Sequence, residues 1–268
     1  MSDSCIYSGS VPEHYDKYQG PVFFEPYALE VASRVDPNAV QVAIELACGT
    51  GRVTRHLRKA LAPAARLIAT DLSPDMLTVA QQKLKDQPIE WQVADAEQLP
   101  FEDNSADLIV CCFGYMFVPD KVKAFSEAYR VLRNDGELLF TTWDKLESNG
   151  ASFIQRSIVQ QYLGELPESY KTAFTMNNDG DIDNQLQQAG FTEIKIERVD
   201  KIAFSASAKE VAEGLMQGGS MYNEIVKRNP DWAPKIKIEI EEQLTKKFGA
   251  APMKSPMRAV LTIAKKTN

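Results

Sequence analysis

Residues 42–54 read Val-Ala-Ile-Glu-Leu-Ala-Cys-Gly-Thr-Gly-Arg-Val-Thr. An apolar run closes on Glu45, glycines follow at 49 and 51, and an amphipathic segment begins at Arg52. This is the pattern of a buried strand that turns sharply into a helix. A residue without Cβ takes backbone angles closed to others and lets a ligand lie almost on the main chain. Gly49 and Gly51 therefore suit a cradle for something small and polar, although a tight turn with no ligand would read the same way. A dinucleotide fingerprint fits less well. It wants a small third residue where Thr54 stands, and an anion-binding helix start for pyrophosphate.

The alternation continues downstream. Arg52 to Leu61 reads as a helix with Val53, Leu57 and Leu61 at fourfold spacing, stopped at Pro63. Ala64 to Thr70 is a second apolar strand, and it delivers Asp71 about twenty residues beyond Gly51, the interval at which a carboxylate meets ribose hydroxyls in such folds. Ser73 caps the next helix and Pro74 takes its first position, so Asp71 also favours that helix dipole without any ligand. Ile89 to Val93, Ala106 to Phe113 and Glu137 to Trp143 follow as strands. Asp120 caps the helix before the last of them, and Asn134-Asp135-Gly136 makes the turn into it. Such an order predicts an α/β fold: a parallel sheet, helices on both faces, and a ligand at the carboxyl ends of the strands.

Beyond Asp144 the pattern loosens. A helix from about Ala151 to Leu163 precedes an irregular stretch with Pro167, Tyr170, Phe174 and Met176, then a helix ending at Gly190. Phe191 to Phe204 and Met257 to Ala264 read as strands. Between them Ile236, Ile240, Leu244 and Phe248 repeat at fourfold spacing; Ile238 also permits a strand, but Pro234 and the segment's length favour a helix. The chain thus divides into a helical arm or lid (1–35), a core (36–204 and 256–268) and a helical cap (205–255). The arm is rich in rings, with Tyr7, His14, Tyr15, Tyr18, Phe23, Phe24 and Tyr27. It is read equally as cover for a sheet edge or as a ligand lid.

A chain of 268 residues suits one large domain with a cap. Its formal charge of -7 gives no general attraction to phosphate backbones, so nucleic acid is not an expected partner. Cys5, Cys48, Cys111 and Cys112 match neither a zinc site nor a disulfide framework, and the adjacent pair points to opposite faces of its strand. No metal is expected. With no secretory leader and no membrane-length apolar run, the expectation is a cytoplasmic protein with no integral membrane segment, a monomer or homodimer.

The spacing Glu45-x-Ala47-x-Gly49-x-Gly51, with Asp95-Ala96-Glu97-Gln98-Leu99-Pro100-Phe101 after the third strand, resembles the class I S-adenosylmethionine-dependent methyltransferases. Within them it is similar to the ubiquinone- and menaquinone-biosynthesis-like branch (methyltransferase type 11). The likeness covers residues 37–143. It implies a Rossmann-like, seven-stranded, mostly parallel sheet with an antiparallel last strand and the cap inserted before it. It implies S-adenosyl-L-methionine as cofactor, S-adenosyl-L-homocysteine as product, and a small-molecule acceptor offering an O, N or C nucleophile for in-line displacement. A carboxylate near the loop suits the ammonium and sulfonium of that cofactor.

By the same resemblance the cofactor-binding residues are Glu45, Ala47, Cys48, Gly49, Gly51, Asp71, Leu72, Met76, Asp95, Ala96 and Cys112. Asp71 takes the ribose, Asp95 the adenine amino group and Met76 the adenine face. As plain structure, Asp95 is a turn former and Met76 is core. Tyr15 and Tyr18 resemble the Tyr-Asp signature found before the first strand. His14 is the candidate base where a protonated nucleophile needs one, with Tyr15 beside it, and Tyr18, Tyr115 and Trp143 are candidates for the acceptor side. All five are equally ordinary as packing residues. Two other readings stay open: an NAD(P)-dependent oxidoreductase, and a non-catalytic protein that binds S-adenosylmethionine or S-adenosylhomocysteine.

Overall fold

The computed structural model describes residues 11–166, 168–218 and 221–267; Cys5, Tyr7 and Pro167 lie outside them. The described residues open with a short helix α1 (Val11–His14), a wide-turned helical run (Tyr15–Phe24) and helix α2 (Glu25–Ser33). The run is of π type: the Glu25 N–H reaches back five residues to the Gly20 carbonyl. Pro21 lies inside it.

The next eight elements are β1 (Val42–Leu46), α3 (Arg52–Ala60), β2 (Arg66–Asp71), α4 (Pro74–Lys83), β3 (Glu90–Val93), β4 (Ala106–Cys112), α5 (Lys121–Val131) and β5 (Leu132–Trp143). Then come α6 (Gly150–Leu163), α7 (Glu168–Thr172), α8 (Asp179–Gln188) and β6 (Glu193–Ser205). Helices α9 (Ala208–Gln217), α10 (Met221–Arg228) and α11 (Trp232–Phe248) lead to β7 (Met253–Lys265). The strands form one seven-stranded sheet in the order β3-β2-β1-β4-β5-β7-β6. Pairing is parallel from β3 through β5, and β7 is antiparallel to both of its neighbours.

The central strands are buried on both faces, which is why they read as continuous apolar runs. Ile44, Ile109, Leu138 and Phe140 face a core completed by α5, α6 and α8. Ala43, Leu108, Val110 and Leu139 face the other way, onto Ala28 and Val31 of α2 and Leu57 of α3. The strand order reverses at β1, between β2 and β4, and that reversal opens a crevice at the carboxyl ends of the strands. Among the described residues no helix is long and apolar enough to cross a membrane.

Two boundaries differ from the sequence reading by more than two residues. Strand β5 starts at Leu132, because Asn134-Asp135-Gly136 is absorbed as an irregularity in the ladder rather than a free turn. Asp135 takes φ +66° there, and its N–H is held by the Lys266 carbonyl at 2.8 Å. Strand β7 starts at Met253, inside the expected cap, since it pairs with β6 to the end, Ser205 against Met253. The β6–β7 ribbon therefore runs past the last β5 pair, Trp143 with Ala259.

Gly51 has φ +80°, and a Cβ there would stand 3.0 Å from Leu84 Cδ1 and 3.2 Å from Ala80 Cβ. Gly49 has φ +56° with no heavy atom within 4 Å of such a Cβ. Gly51→Ala is expected to lower unfolding stability by about 1–2 kcal/mol from backbone strain, with crowding added. Gly49→Ala carries the strain alone and loses less. Urea denaturation of the two variants checks the order.

Candidate cofactor site

Hydrogen bonds tie the carboxyl ends of β1 and β2 together. The Cys48 N–H donates to the Thr70 carbonyl at 2.9 Å, and the Cys48 carbonyl accepts from Gly51 at 3.0 Å. With both main-chain groups engaged, Cys48 turns its thiol into a small cluster with Ala69 and Leu77, where burial pushes its pKa well up. Asp71 accepts from the Gly49 N–H on Oδ2 and from the Ser73 N–H on Oδ1, both at 2.8 Å. Burial raises the Asp71 pKa, and those two donors restrain the rise. Ala47 enters the loop in the left-handed region, φ +51°, and its methyl lies against Gly114, where a Cβ would come within 2.6 Å of it.

Beneath the loop lies Glu45, 1% exposed. Burial pushes its pKa up to about 8, Thr54 in the first turn of α3 moderates the rise, and the Asp71 carboxylate adds to it. Neither Glu45 Oε2 nor Thr54 Oγ1 completes a hydrogen bond among the described residues. An enclosed carboxyl oxygen without a partner is costly, and a cation brought to it would offset that cost. Above it Gly49 faces open space, and beside Asp71 the Leu72 side chain is 54% exposed. An acid below, bare main chain above and an apolar rim fit a ligand that is cationic at one end and flat and apolar at the other.

The remaining expected contacts are distributed around this centre. Met76 is buried on α4, and its N–H donates to the capping Ser73 Oγ at 3.4 Å. Asp95 is exposed in the loop after β3, where its Oδ1 accepts from the Glu97 N–H at 2.9 Å, so it forms a turn. That loop is joined to β2 by the Ala94 N–H, which donates to the Asp71 carbonyl at 3.2 Å. Ala96 packs on the core. Cys112 Sγ lies 3.0 Å from Thr141 Oγ1, with its pKa pushed up to about 12 by burial.

Aromatic rings sheathe the ends of β4 and β5. Phe113 takes φ +60°, an outlier for a bulky side chain and a mark of local strain. Trp143 stacks on it at 4.1 Å, and Phe24 of the N-terminal run and Tyr27 of α2 meet both rings at 5.4–5.8 Å. Tyr115 is a correction. Expected at the acceptor side, it is wholly enclosed between Phe125 and Phe140, its hydroxyl has no partner among the described residues, and burial pushes its phenol well up. It belongs to the core under the β4–α5 turn. His14 and Tyr15 sit in the N-terminal segment, stacked on Tyr18 and packed on Phe24 respectively. Tyr18 lies against α9, where a Cβ on Gly214 would be 2.7 Å from its own.

The sequence reading missed an ionic network that binds the N-terminal run to the glycine loop. Asp16 Oδ1 accepts from Thr50 Oγ1 at 2.8 Å, from Arg52 Nη2 at 3.1 Å and from Lys83 Nζ. Glu25 accepts from Arg52 at 2.8 Å and Arg55 at 2.5 Å and lies 2.8 Å from His56. Burial works to raise the Glu25 pKa, but these partners outweigh it and hold the group down at about 2. The only local signal was a hydroxyl, Thr50, between two glycines.

Residues 44–140 match the family model described as Methyltransferase domain. The demethylmenaquinone methyltransferase of Lactobacillus johnsonii is 30% identical over 135 residues, 48% of this chain and 55% of that protein. That of Lactiplantibacillus plantarum is 31% identical over 181 residues, 62% of this chain and 75% of that protein. The chain thus spans little more than half the length of the first relative. Among solved structures, the Haemonchus contortus phosphoethanolamine N-methyltransferase 2 in complex with phosphomonomethylethanolamine and S-adenosylhomocysteine superposes with a TM-score of 0.60 at 19% identity. The match covers 96% of this chain and 57% of that one, a likeness of fold.

Glu45 yields a pH test with a definite sign. Its pKa rises from an ordinary 4.5 to about 8 on folding, so the neutral acid stabilises the fold fully below pH 4.5. That contribution is lost as pH climbs to about 8 and stays lost above it. Relative to Glu45→Gln, the wild type is expected to weaken steadily across this window in urea titrations. Parallel curves for the two proteins would show that Glu45 is not held neutral.

Proposed function

Because this chain belongs to the class I S-adenosylmethionine-dependent methyltransferases, in the ubiquinone- and menaquinone-biosynthesis-like branch, we propose that it moves a methyl group from S-adenosylmethionine to a small-molecule acceptor. The observation that carries this reading is the enclosed Glu45 Oε2, without a partner among the described residues, on the strand that leads into the open main chain at Gly49. A phosphate-bearing cofactor has no use for an acid there, whereas an ammonium does. When bound, the cofactor supplies a methyl group already activated by a positive sulfur.

The protein's part is then to bind, align and exclude water. Glu45 holds the cationic end, and the main chain of Ala47, Cys48, Gly49 and Gly51 lies along the ligand. Asp71, already oriented by Gly49 and Ser73, offers its remaining lone pairs to the ribose hydroxyls. Leu72 and Met76 take the adenine faces, Asp95 and Ala96 its amino edge, and Cys112 ends the strand that faces the methyl. The rings of Phe24, Phe113 and Trp143 favour a flat, apolar acceptor, which agrees with the names of the menaquinone-methylating relatives. The N-terminal run and helices α9–α11 cover that side. His14 and Tyr15 serve a nucleophile that arrives protonated; an ionised or electron-rich carbon acceptor needs neither. Cys48, Cys111 and Cys112, free of disulfides, agree with a reducing cytoplasm.

One observation favours a second reading. Trp143 and Phe113 are stacked and almost fully buried, as in a protein that binds the cofactor without turnover. Turnover with an added quinol separates the two.

Titration calorimetry with S-adenosylmethionine, S-adenosylhomocysteine and NADH tests the cofactor. Binding of the first two alone is expected, and binding of NADH alone overturns the proposal. Asp71→Ala should weaken S-adenosylmethionine by about 1–3 kcal/mol while the protein stays folded. Unchanged affinity would remove the ribose role.

A further inference from the structure

The Tyr15–Phe24 run is held between two surfaces. On one side, the Asp16 carboxylate joins three pieces of chain at the glycine loop: Thr50 within it, Arg52 at the start of α3 and Lys83 at the end of α4. Arg52 Nη2 also donates to the Asp16 carbonyl at 2.9 Å, and Lys83 Nζ donates to the Thr50 carbonyl at 3.3 Å. On the other side, Gln19 Nε2 donates to the Gly214 carbonyl of α9 at 2.9 Å. The run lies flat on α9 because Gly214 within that helix and Gly218 just past its end lack side chains. A Cβ on Gly214 would stand 2.7 Å from Tyr18 Cβ and 3.3 Å from its carbonyl carbon, and one on Gly218 would stand 2.7 Å from Gln19 Nε2.

Resting on the cofactor reading above, we propose that Asp16 is a positioning residue and that residues 15–24 form a latch, which fastens the glycine loop to α9 and holds it in the shape that retains the cofactor product. Thr50 stands between two glycines, so its hydroxyl is the one side-chain handle by which that flexible stretch can be gripped. The grip is charge-assisted and partly sheltered from water, the condition under which such bonds are strong. Burial works to raise the Asp16 pKa, and the hydrogen bonds from Lys83 and Thr50 outweigh it, so the carboxylate stays ionised. Because the run touches the loop and α9 at once, a shift at either surface is felt at the other.

The test is the dissociation rate of S-adenosylhomocysteine from the full chain, read by surface plasmon resonance, with thermal melts confirming folding. Asp16→Asn keeps the shape and removes the charge, and is expected to speed release about tenfold or more. Lys83→Gln removes one of the donors and should speed it about threefold. Gly214→Ala is the decisive variant. It lies on α9, improves helix propensity and lifts Tyr18, and is expected to speed release about threefold. Release within about twofold of wild type in both Asp16→Asn and Lys83→Gln would overturn the latch. A wild-type rate in Gly214→Ala would overturn the coupling to α9. If the wild type captures no S-adenosylhomocysteine, it is the cofactor reading that fails.

Discussion

The constraint on which the structure depends is the reversal between β1 and α3. In five residues the chain leaves a buried parallel strand and starts a helix packed on the same sheet. Ala47, Gly49 and Gly51 all take positive φ to do it. Such a path is unstable by itself, since it spends hydrogen bonds that a ladder would otherwise use. Asp71 replaces one of them, accepting from the Gly49 N–H on one oxygen while Ser73 donates to the other, and so ties the end of β2 to the loop after β1. The sheet reversal beside β1 leaves space above that tie, and the crevice follows from topology rather than from any one side chain.

Glu45 shows how the fold holds a site at the expense of stability. An apolar residue of similar size would suit a position 1% exposed, and the unpartnered oxygen has no structural use. Strain at Phe113, again at a strand's carboxyl end, belongs with it.

The doubly wound core was legible because its signals are local. Strands buried on both faces are apolar runs, caps such as Ser73 and Asp120 lie next to the helices they start, and both accept the expected bonds. The illegible parts depend on partners far away in the chain. Asp16 meets Thr50 and Lys83 across 34 and 67 residues, and no spacing rule reaches that far. Tyr115 follows β4 as a surface aromatic would, yet the 3-10 turn at Tyr115–Phe117 directs it inward between two rings. The early start of β7 was hidden because Met253 to Pro256 lacks the apolar density of a central strand; the antiparallel partner β6 makes it one.

The overhang of the β6–β7 ribbon has a mechanical meaning. Rooted in the sheet by its pairing with β5, the ribbon continues beyond Ala259 as a two-stranded cantilever. Helix α9 leaves its tip within three residues of Ser205, and the Ala208 N–H is pinned at 2.9 Å to the Ala250 carbonyl, just before the strand that returns. The helix that presses on the N-terminal run is thus mounted on a stiff beam, not on a loop. Twist of that beam, set by backbone sterics, therefore fixes the line along which α9 meets the N-terminal run.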